Sequence, residues 1–119
     1  VVGYEPGYRW NKPSLAMVNE ANYSDGHCFA CGYQDLGIGK LVGMPVPGTC
    51  SFAGWEMLQN GTVVWGSVPV SAKDINGDWM ENNETVPELM IKNMPGVIDK
   101  GRDQQLEGAI KDMLETVKK

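Results

Sequence analysis

The sequence predicts an α/β fold, and three features of the 119-residue chain support that class. A strand, a tight turn, a helix and a second strand follow one another in the first third. Two segments rich in strand-forming residues flank a hairpin turn in the middle. An amphipathic helix ends the chain. Before these elements, Val1 to Lys12 is rich in Gly, Pro and aromatic residues, which predicts an irregular lead-in.

The first element is a strand–helix–strand unit. Ser14–Val18 is a short apolar run typical of a buried strand, and Asn19–Gly26 is dense in turn-forming residues. Lys40–Val42 begins the next apolar strand, so we expect a parallel pair with a right-handed crossover. The intervening helix is predicted over Asp25–Leu36, because apolar residues recur there at helical spacing. That apolar face consists of Cys28, Phe29, Gly32, Tyr33 and Leu36.

The middle of the chain predicts a β-hairpin. Asn60-Gly61 is a strong two-residue turn signal, and it lies between Gly54–Leu58 and Thr62–Trp65, both rich in strand formers. The strand pattern continues to Val70. A second turn-rich patch, Asp74–Asp78, follows this region and predicts a β-turn.

The C-terminal segment predicts an amphipathic helix. Asp103 is a good N-cap residue, and Lys118 and Lys119 complement the helix dipole at the other end. Apolar residues recur at helical spacing between these ends. They are Leu106, Ala109, Ile110, Met113, Leu114 and Val117.

Composition and charge exclude some classes of partner. The net charge is −5, and the chain has no run of Lys or Arg. Nucleic acid and anionic membrane surfaces are therefore not expected partners. No stretch approaches the roughly 20 consecutive apolar residues that a membrane span requires.

Ser24 is the first candidate for chemistry. It lies where the predicted buried strand turns into the predicted helix, so it is held at the helix N-terminus. Free backbone N–H groups and the helix dipole there favour developing negative charge, as an acyl-transfer transition state requires. The alternative is that Ser24 only caps the helix.

Five segments, in this order along the chain, carry a resemblance to a known family. They are Pro13–Glu20, Tyr23–Gly26, Asp35–Gly43, Gly77–Glu88 and Gly101–Ile110. Together they resemble the S41 serine peptidases, in particular the tricorn-type branch of the C-terminal processing peptidase superfamily. The resemblance runs from about Pro13 to the end of the chain. It implies the α/β core of the ClpP/crotonase-like folds, with residues 1–119 as the C-terminal portion of the catalytic domain.

The resemblance also implies roles for individual residues. Ser24 would be the nucleophile, and the backbone N–H of Asp25 would be one oxyanion donor. Glu81 would orient the catalytic residues through an intervening serine, in a Ser-His-Ser-Glu tetrad. Asn83 and Glu84 interrupt the family's pattern after Glu81, so a solvated acidic turn is the alternative for that residue. Neither a metal nor an organic cofactor is implied.

The base for Ser24 is the element that the sequence lacks. A second S41 branch uses a lysine, but Thr49 stands at the corresponding place, and a hydroxyl is no base. Lys40 lies too early in the chain. His27, the sole histidine, is one turn from Ser24 on the same predicted helix, so we expect a surface or pocket-rim residue. A catalytic histidine is therefore expected from a segment upstream of this chain.

The cysteines and one acidic loop raise metal-site alternatives. Cys28 and Cys31 form a C-x-x-C, which with His27 and Cys50 could suggest zinc, but a second C-x-x-C is absent. Packing of the two thiols on one helix face is the favoured interpretation. Three cysteines are too few for a disulfide framework. The Asp74–Asp78 patch does not match a calcium loop in its glycine position.

The sequence thus predicts peptide-bond hydrolysis through an acyl-enzyme at Ser24. Its partners would be a peptide or protein substrate and the rest of the catalytic domain, and a homo-oligomer stays open. The alternative is a non-catalytic ligand- or peptide-binding protein on the same scaffold. An α/β domain unrelated to peptidases is a third option. Resemblance favours a periplasmic or secreted location, with the cytoplasm as the alternative.

Overall fold

The computed structural model describes residues 10–118, apart from the side chains of Trp65, Ser67 and Pro69. Most of the predicted lead-in, residues 1–9, lies outside this range, and residues 10–12 form neither helix nor strand. The elements in chain order are β1 (Leu15–Val18), α1 (Asp25–Asp35), β2 (Lys40–Gly43), β3 (Ser51–Met57), β4 (Val63–Ser71), β5 (Leu89–Met90) and α2 (Gln104–Val117), with a short 3-10 helix at Ile98–Lys100.

A three-stranded parallel sheet in the order β1-β2-β5 forms the centre of the fold. Leu15 pairs with Lys40 and Val18 with Gly43, which confirms the predicted parallel pair joined by a helix. Because both faces of a parallel sheet are normally covered, its strands carry few polar residues. Leu41 and Val42 are completely buried. The main core cluster consists of Val18, Ala30, Tyr33, Leu41 and Val46.

Helix α1 confirms the predicted element, but Tyr33 is the one residue of its predicted apolar face that is buried. Phe29 is 55% exposed and Leu36 is 75% exposed. The buried positions are His27, Ala30, Cys31 and Tyr33. The true inward stripe therefore includes a histidine, which an assignment by hydrophobic residues alone places outside.

The predicted hairpin is present as a separate two-stranded antiparallel sheet. Trp55 pairs with Trp65, and the register shifts between Ser51 and Ala53, at the base of β3. The Asp74–Asp78 patch forms the predicted turn, with the Asp74 carboxylate accepting from the N–H groups of Asn76 and Asp78.

Helix α2 begins where the sequence predicts. The Asp103 carboxylate accepts from the N–H groups of Gln105 and Leu106, at 3.0 and 3.1 Å. Only Ala109 of its predicted apolar residues is buried. Four others form the outer stripe of α2 and are 46 to 56% exposed, so no described residue packs over them fully. These residues are Leu106, Ile110, Leu114 and Val117. Neither helix, within residues 10–118, has the length and apolar character of a membrane span.

Candidate active site

Ser24 occupies a strained turn between β1 and α1. Its backbone angles are φ 50° and ψ −111°, although it is not a glycine. Such conformations are unfavourable by roughly 1–3 kcal/mol and persist only when the surroundings hold them. A serine on a strained strand-to-helix turn is the geometry that exposes the nucleophile of many α/β hydrolytic enzymes.

Contacts on both sides hold the Ser24 backbone. Its N–H donates to the Thr49 hydroxyl at 3.0 Å. Its carbonyl accepts from the N–H groups of His27 at 2.9 Å and Cys28 at 3.1 Å, in the first turn of α1. The Ser24 hydroxyl makes no capping hydrogen bond to the helix. Its side chain is therefore available for something other than capping.

Ser24 lines a cleft of about 360 Å³, which lies between the turn of residues 23–25 (the elbow), the hairpin and the loop after β4. Asp25 is the first residue of α1, and no described residue accepts a hydrogen bond from its backbone N–H. That N–H follows Ser24 directly at the positive end of the helix dipole. The cleft is lined by Tyr23, Ser24, Gly48, Thr49, Ser51, Phe52, Ala53, Gly66, Glu81 and Asn82.

Glu81 lines the same cleft as Ser24 and is exposed. Residues on both sides anchor its backbone, because the Met80 N–H donates to Ala72 and the Asn82 N–H donates to Gly48. Gly48 is a place where only glycine fits, since a Cβ would approach the Asn83 nitrogen to 2.3 Å. This close approach packs the turn that carries Glu81 against residues 44–50, the loop between β2 and β3 (the Thr49 loop).

His27 is buried, so the prediction of a surface or rim residue is wrong. Only 1% of the residue is exposed. Its Nδ1 accepts from the N–H groups of Thr49 and Cys50, at 3.1 and 3.0 Å. The proton therefore resides on Nε2, which donates to the Thr85 hydroxyl at 3.0 Å. Burial lowers the pKa of this imidazole, because it disfavours the charged form.

A disulfide joins Cys28 of α1 to Cys50 of the loop after β2. The expectation that Cys28 and Cys31 pack as two thiols is therefore wrong for Cys28, which is bonded to Cys50. Cys31 remains a free, buried thiol. Burial, with the nearby Asp35 carboxylate, raises the pKa of Cys31 to about 11. Among residues 10–118, no group of three His, Cys, Asp or Glu side chains could hold a metal ion.

The Thr49 hydroxyl forms hydrogen bonds with two backbone groups at this site. It accepts from Ser24 N–H and donates to the Pro47 carbonyl at 3.3 Å. This hydroxyl therefore supports the backbone of Ser24. The chain's own histidine has both ring nitrogens engaged elsewhere. Among the described residues, Ser24, Thr49 and Glu81 line one cleft, and no histidine lines it.

Comparison with known proteins gives the family. The family model described as Peptidase family S41 matches residues 2–91. No curated protein matches the sequence significantly. The chain belongs to peptidase family S41.

Solved structures agree with this assignment in their fold. The chain is similar to the tricorn protease, with a TM-score of 0.84 and 23% identity over 97% of this chain and 11% of that one. A putative peptidase from Parabacteroides merdae ATCC 43184 has a TM-score of 0.73 and 26% identity over 89% of this chain and 33% of its own. The photosystem II D1 C-terminal processing protease has a TM-score of 0.59 and 20% identity, over 85% of this chain and 24% of its own. The chain thus spans a third or less of each.

The cysteine pairing predicts a distinct pattern of thiol reactivity. Alkylation of the native protein at pH 8 without reductant should leave Cys28 and Cys50 unmodified. Cys31 should react slowly, because it is buried and its pKa is about 11. Peptide mapping by mass spectrometry checks this, with denatured, reduced protein as the control. Rapid labelling of Cys28 or Cys50 in native protein would contradict the pairing.

His27 predicts a dependence of stability on pH. Its folded-state pKa is below the ordinary value of 6.5, so the unfolded chain binds a proton more readily. The stability from the neutral imidazole is therefore complete above about pH 6.5 and is lost as the pH falls towards the folded-state pKa. His27→Asn removes the titration but keeps a hydrogen-bond acceptor.

Urea unfolding at pH 7.5 and 5.5 measures this effect. We expect wild type to lose more unfolding free energy than His27→Asn between those two values. Equal losses in the two proteins would contradict the assignment of a neutral, buried imidazole.

Proposed function

We propose that this chain is the C-terminal portion of an S41 serine peptidase catalytic domain and forms an acyl-enzyme at Ser24. The observation that carries the proposal is the strained backbone of Ser24, a residue that lines a cleft and whose side chain makes no capping hydrogen bond. The substrate would be a peptide or protein, since the chain belongs to a peptidase family.

The chemistry follows from the local geometry. The Ser24 Oγ attacks the scissile carbonyl carbon while its proton passes to a histidine. The carbonyl oxygen gains negative charge and accepts from the Asp25 N–H, where the dipole of α1 adds stabilisation. Collapse of this intermediate expels the amine, which takes the proton, and leaves an ester at Ser24. Water then hydrolyses the ester by the reverse sequence of proton transfers.

The histidine in this scheme comes from an upstream segment of the polypeptide. His27 is unsuitable because its Nδ1 already accepts from two backbone N–H groups and its Nε2 donates to Thr85. Thr49 cannot act as a base. Glu81, held at the cleft by its anchored neighbours, would support the imidazolium through an intervening serine.

The exposed stripe of α2 supports the assignment to part of a larger domain. Leu106, Ile110, Leu114 and Val117 are each about half exposed and lie along one side of the helix. Apolar residues at that spacing normally face a core. The rest of the catalytic domain would cover them.

The disulfide supports an oxidising location. Structural disulfides persist in periplasmic and secreted proteins and are rare in the cytosol. The Cys28–Cys50 bond lies directly beside the proposed nucleophile. We therefore favour the periplasm or the extracellular space for this protein.

A fluorophosphonate probe tests the nucleophile. In the full-length gene product we expect labelling at Ser24, which Ser24→Ala abolishes and the control Ser71→Ala retains. The isolated chain should label weakly because it lacks the base. Tandem mass spectrometry locates the label. Absence of labelling in the full-length protein, or a label on Ser51 in the same cleft, would contradict the proposal.

Glu81→Gln tests the supporting carboxylate. Loss of its charge should lower kcat by about 10²–10⁴-fold with little change in KM, because the interaction strengthens as the histidine becomes charged. Glu84→Gln, on the same exposed turn, is the matched control. Steady-state kinetics on a peptide substrate provide the measurement. Equal activity of the two variants would remove Glu81 from the mechanism.

The domain assignment predicts how the isolated chain behaves. Residues 1–119 produced alone should bind a hydrophobic dye such as ANS, because the outer stripe of α2 is uncovered. Adding the upstream segment should abolish that binding. Cooperative unfolding of the isolated chain without dye binding would favour a self-sufficient domain instead.

A further inference from the structure

His27, Thr49 and Ser24 are joined by a closed circuit of hydrogen bonds. We infer that His27 is a positioning residue whose Nδ1 holds the Thr49 loop, and through it the backbone of Ser24, in the reactive arrangement. The inference rests on the proposed role of Ser24 as nucleophile. It assigns His27 a function other than acid–base catalysis.

The circuit closes through a series of hydrogen bonds. His27 Nδ1 accepts from the N–H groups of Thr49 and Cys50. The Thr49 hydroxyl then accepts from Ser24 N–H at 3.0 Å. The Ser24 carbonyl accepts from the His27 N–H at 2.9 Å, which returns to the starting residue. Rotation of the Ser24 peptide groups would therefore break contacts at both ends.

The far side of the imidazole is also fixed. Nε2 donates to the Thr85 hydroxyl at 3.0 Å. Thr85 itself is held by two backbone hydrogen bonds with Val46, at 2.9 and 3.0 Å. The imidazole is thus fixed between two rigid segments. Because His27 is only 1% exposed, its side chain cannot turn towards solvent. A rigid support of this kind is what a strained conformation requires.

The Cys28–Cys50 disulfide connects the same two segments, but it acts on a different feature. It limits the separation of α1 from the loop. It does not determine the direction of the Thr49 N–H and hydroxyl. The hydrogen bonds to Nδ1 fix the Thr49 N–H, because an N–H···N contact is directional, and so hold the peptide that carries the Thr49 hydroxyl. The disulfide therefore limits the distance between the two segments, and His27 sets the orientation of the loop that holds the Ser24 backbone.

Two conservative substitutions separate the two ring nitrogens. The Asn side chain places its oxygen near the position of Nδ1, whereas the Gln amide reaches the position of Nε2. His27→Asn should therefore keep the acceptor for the Thr49 loop, and His27→Gln should lose it. Asp103→Ala removes the N-terminal cap of α2, which lies outside the His27 contacts, and serves as a control for general destabilisation.

The experiment measures kcat and KM, the rate of fluorophosphonate labelling at Ser24, and amide exchange of Thr49, all in the full-length gene product. His27→Gln should lower kcat and the labelling rate by about 10²-fold, as expected for a misplaced reacting group, with KM nearly unchanged. His27→Asn, which keeps the acceptor for the Thr49 loop, should restore most of the kcat that His27→Gln loses, and Asp103→Ala should keep kcat close to wild type. Exchange at Thr49 should be faster in His27→Gln alone.

The outcomes distinguish the two levels of the proposal. Equal labelling rates of wild type and His27→Gln would overturn the positioning role while leaving Ser24 as nucleophile. Equal losses in His27→Gln, His27→Asn and Asp103→Ala would also overturn it, since they indicate destabilisation alone. Absence of labelling in wild type would overturn the proposed function. In that case, unchanged Thr49 exchange in His27→Gln would still overturn the contact itself.

Discussion

The backbone of Ser24 is held in a conformation that serine avoids, and the contacts around it maintain that conformation. The strain costs roughly 1–3 kcal/mol, so it must be offset by contacts that the relaxed turn would lose. Those contacts come from Thr49 on one side and the first turn of α1 on the other. The parallel pairing of β1 and β2 brings the two sides together, because the Thr49 loop leaves the sheet just after β2.

Much of the fold could be predicted because local and global preferences agree. The parallel strands, the hairpin around Asn60-Gly61 and the α2 cap at Asp103 were all predicted, and each has a strong local signal. The serine on the strand-to-helix junction was found from the same order of elements. A helix start is marked by residues that lie next to one another, so one sequence suffices to locate it.

Interactions between distant segments were the part that the sequence could not provide. Cys28 and Cys50 are 22 residues apart, and spacing alone does not determine cysteine pairing. His27 is expected at the surface or the pocket rim because it lies too close to Ser24 on the same helix to act as its base, whereas three hydrogen bonds with other segments allow a polar ring inside. Such partners become visible only once the chain is folded.

The pH dependence of fluorophosphonate labelling at Ser24 tests whether a histidine from outside this chain activates the serine. In the full-length gene product, the second-order rate should rise with pH through a single inflection near the ordinary histidine pKa of about 6.5. His27→Asn should keep that inflection, because His27 is not the base. An inflection in the alkaline range, about where lysine titrates near pH 10, would contradict the account, as would its loss in His27→Asn.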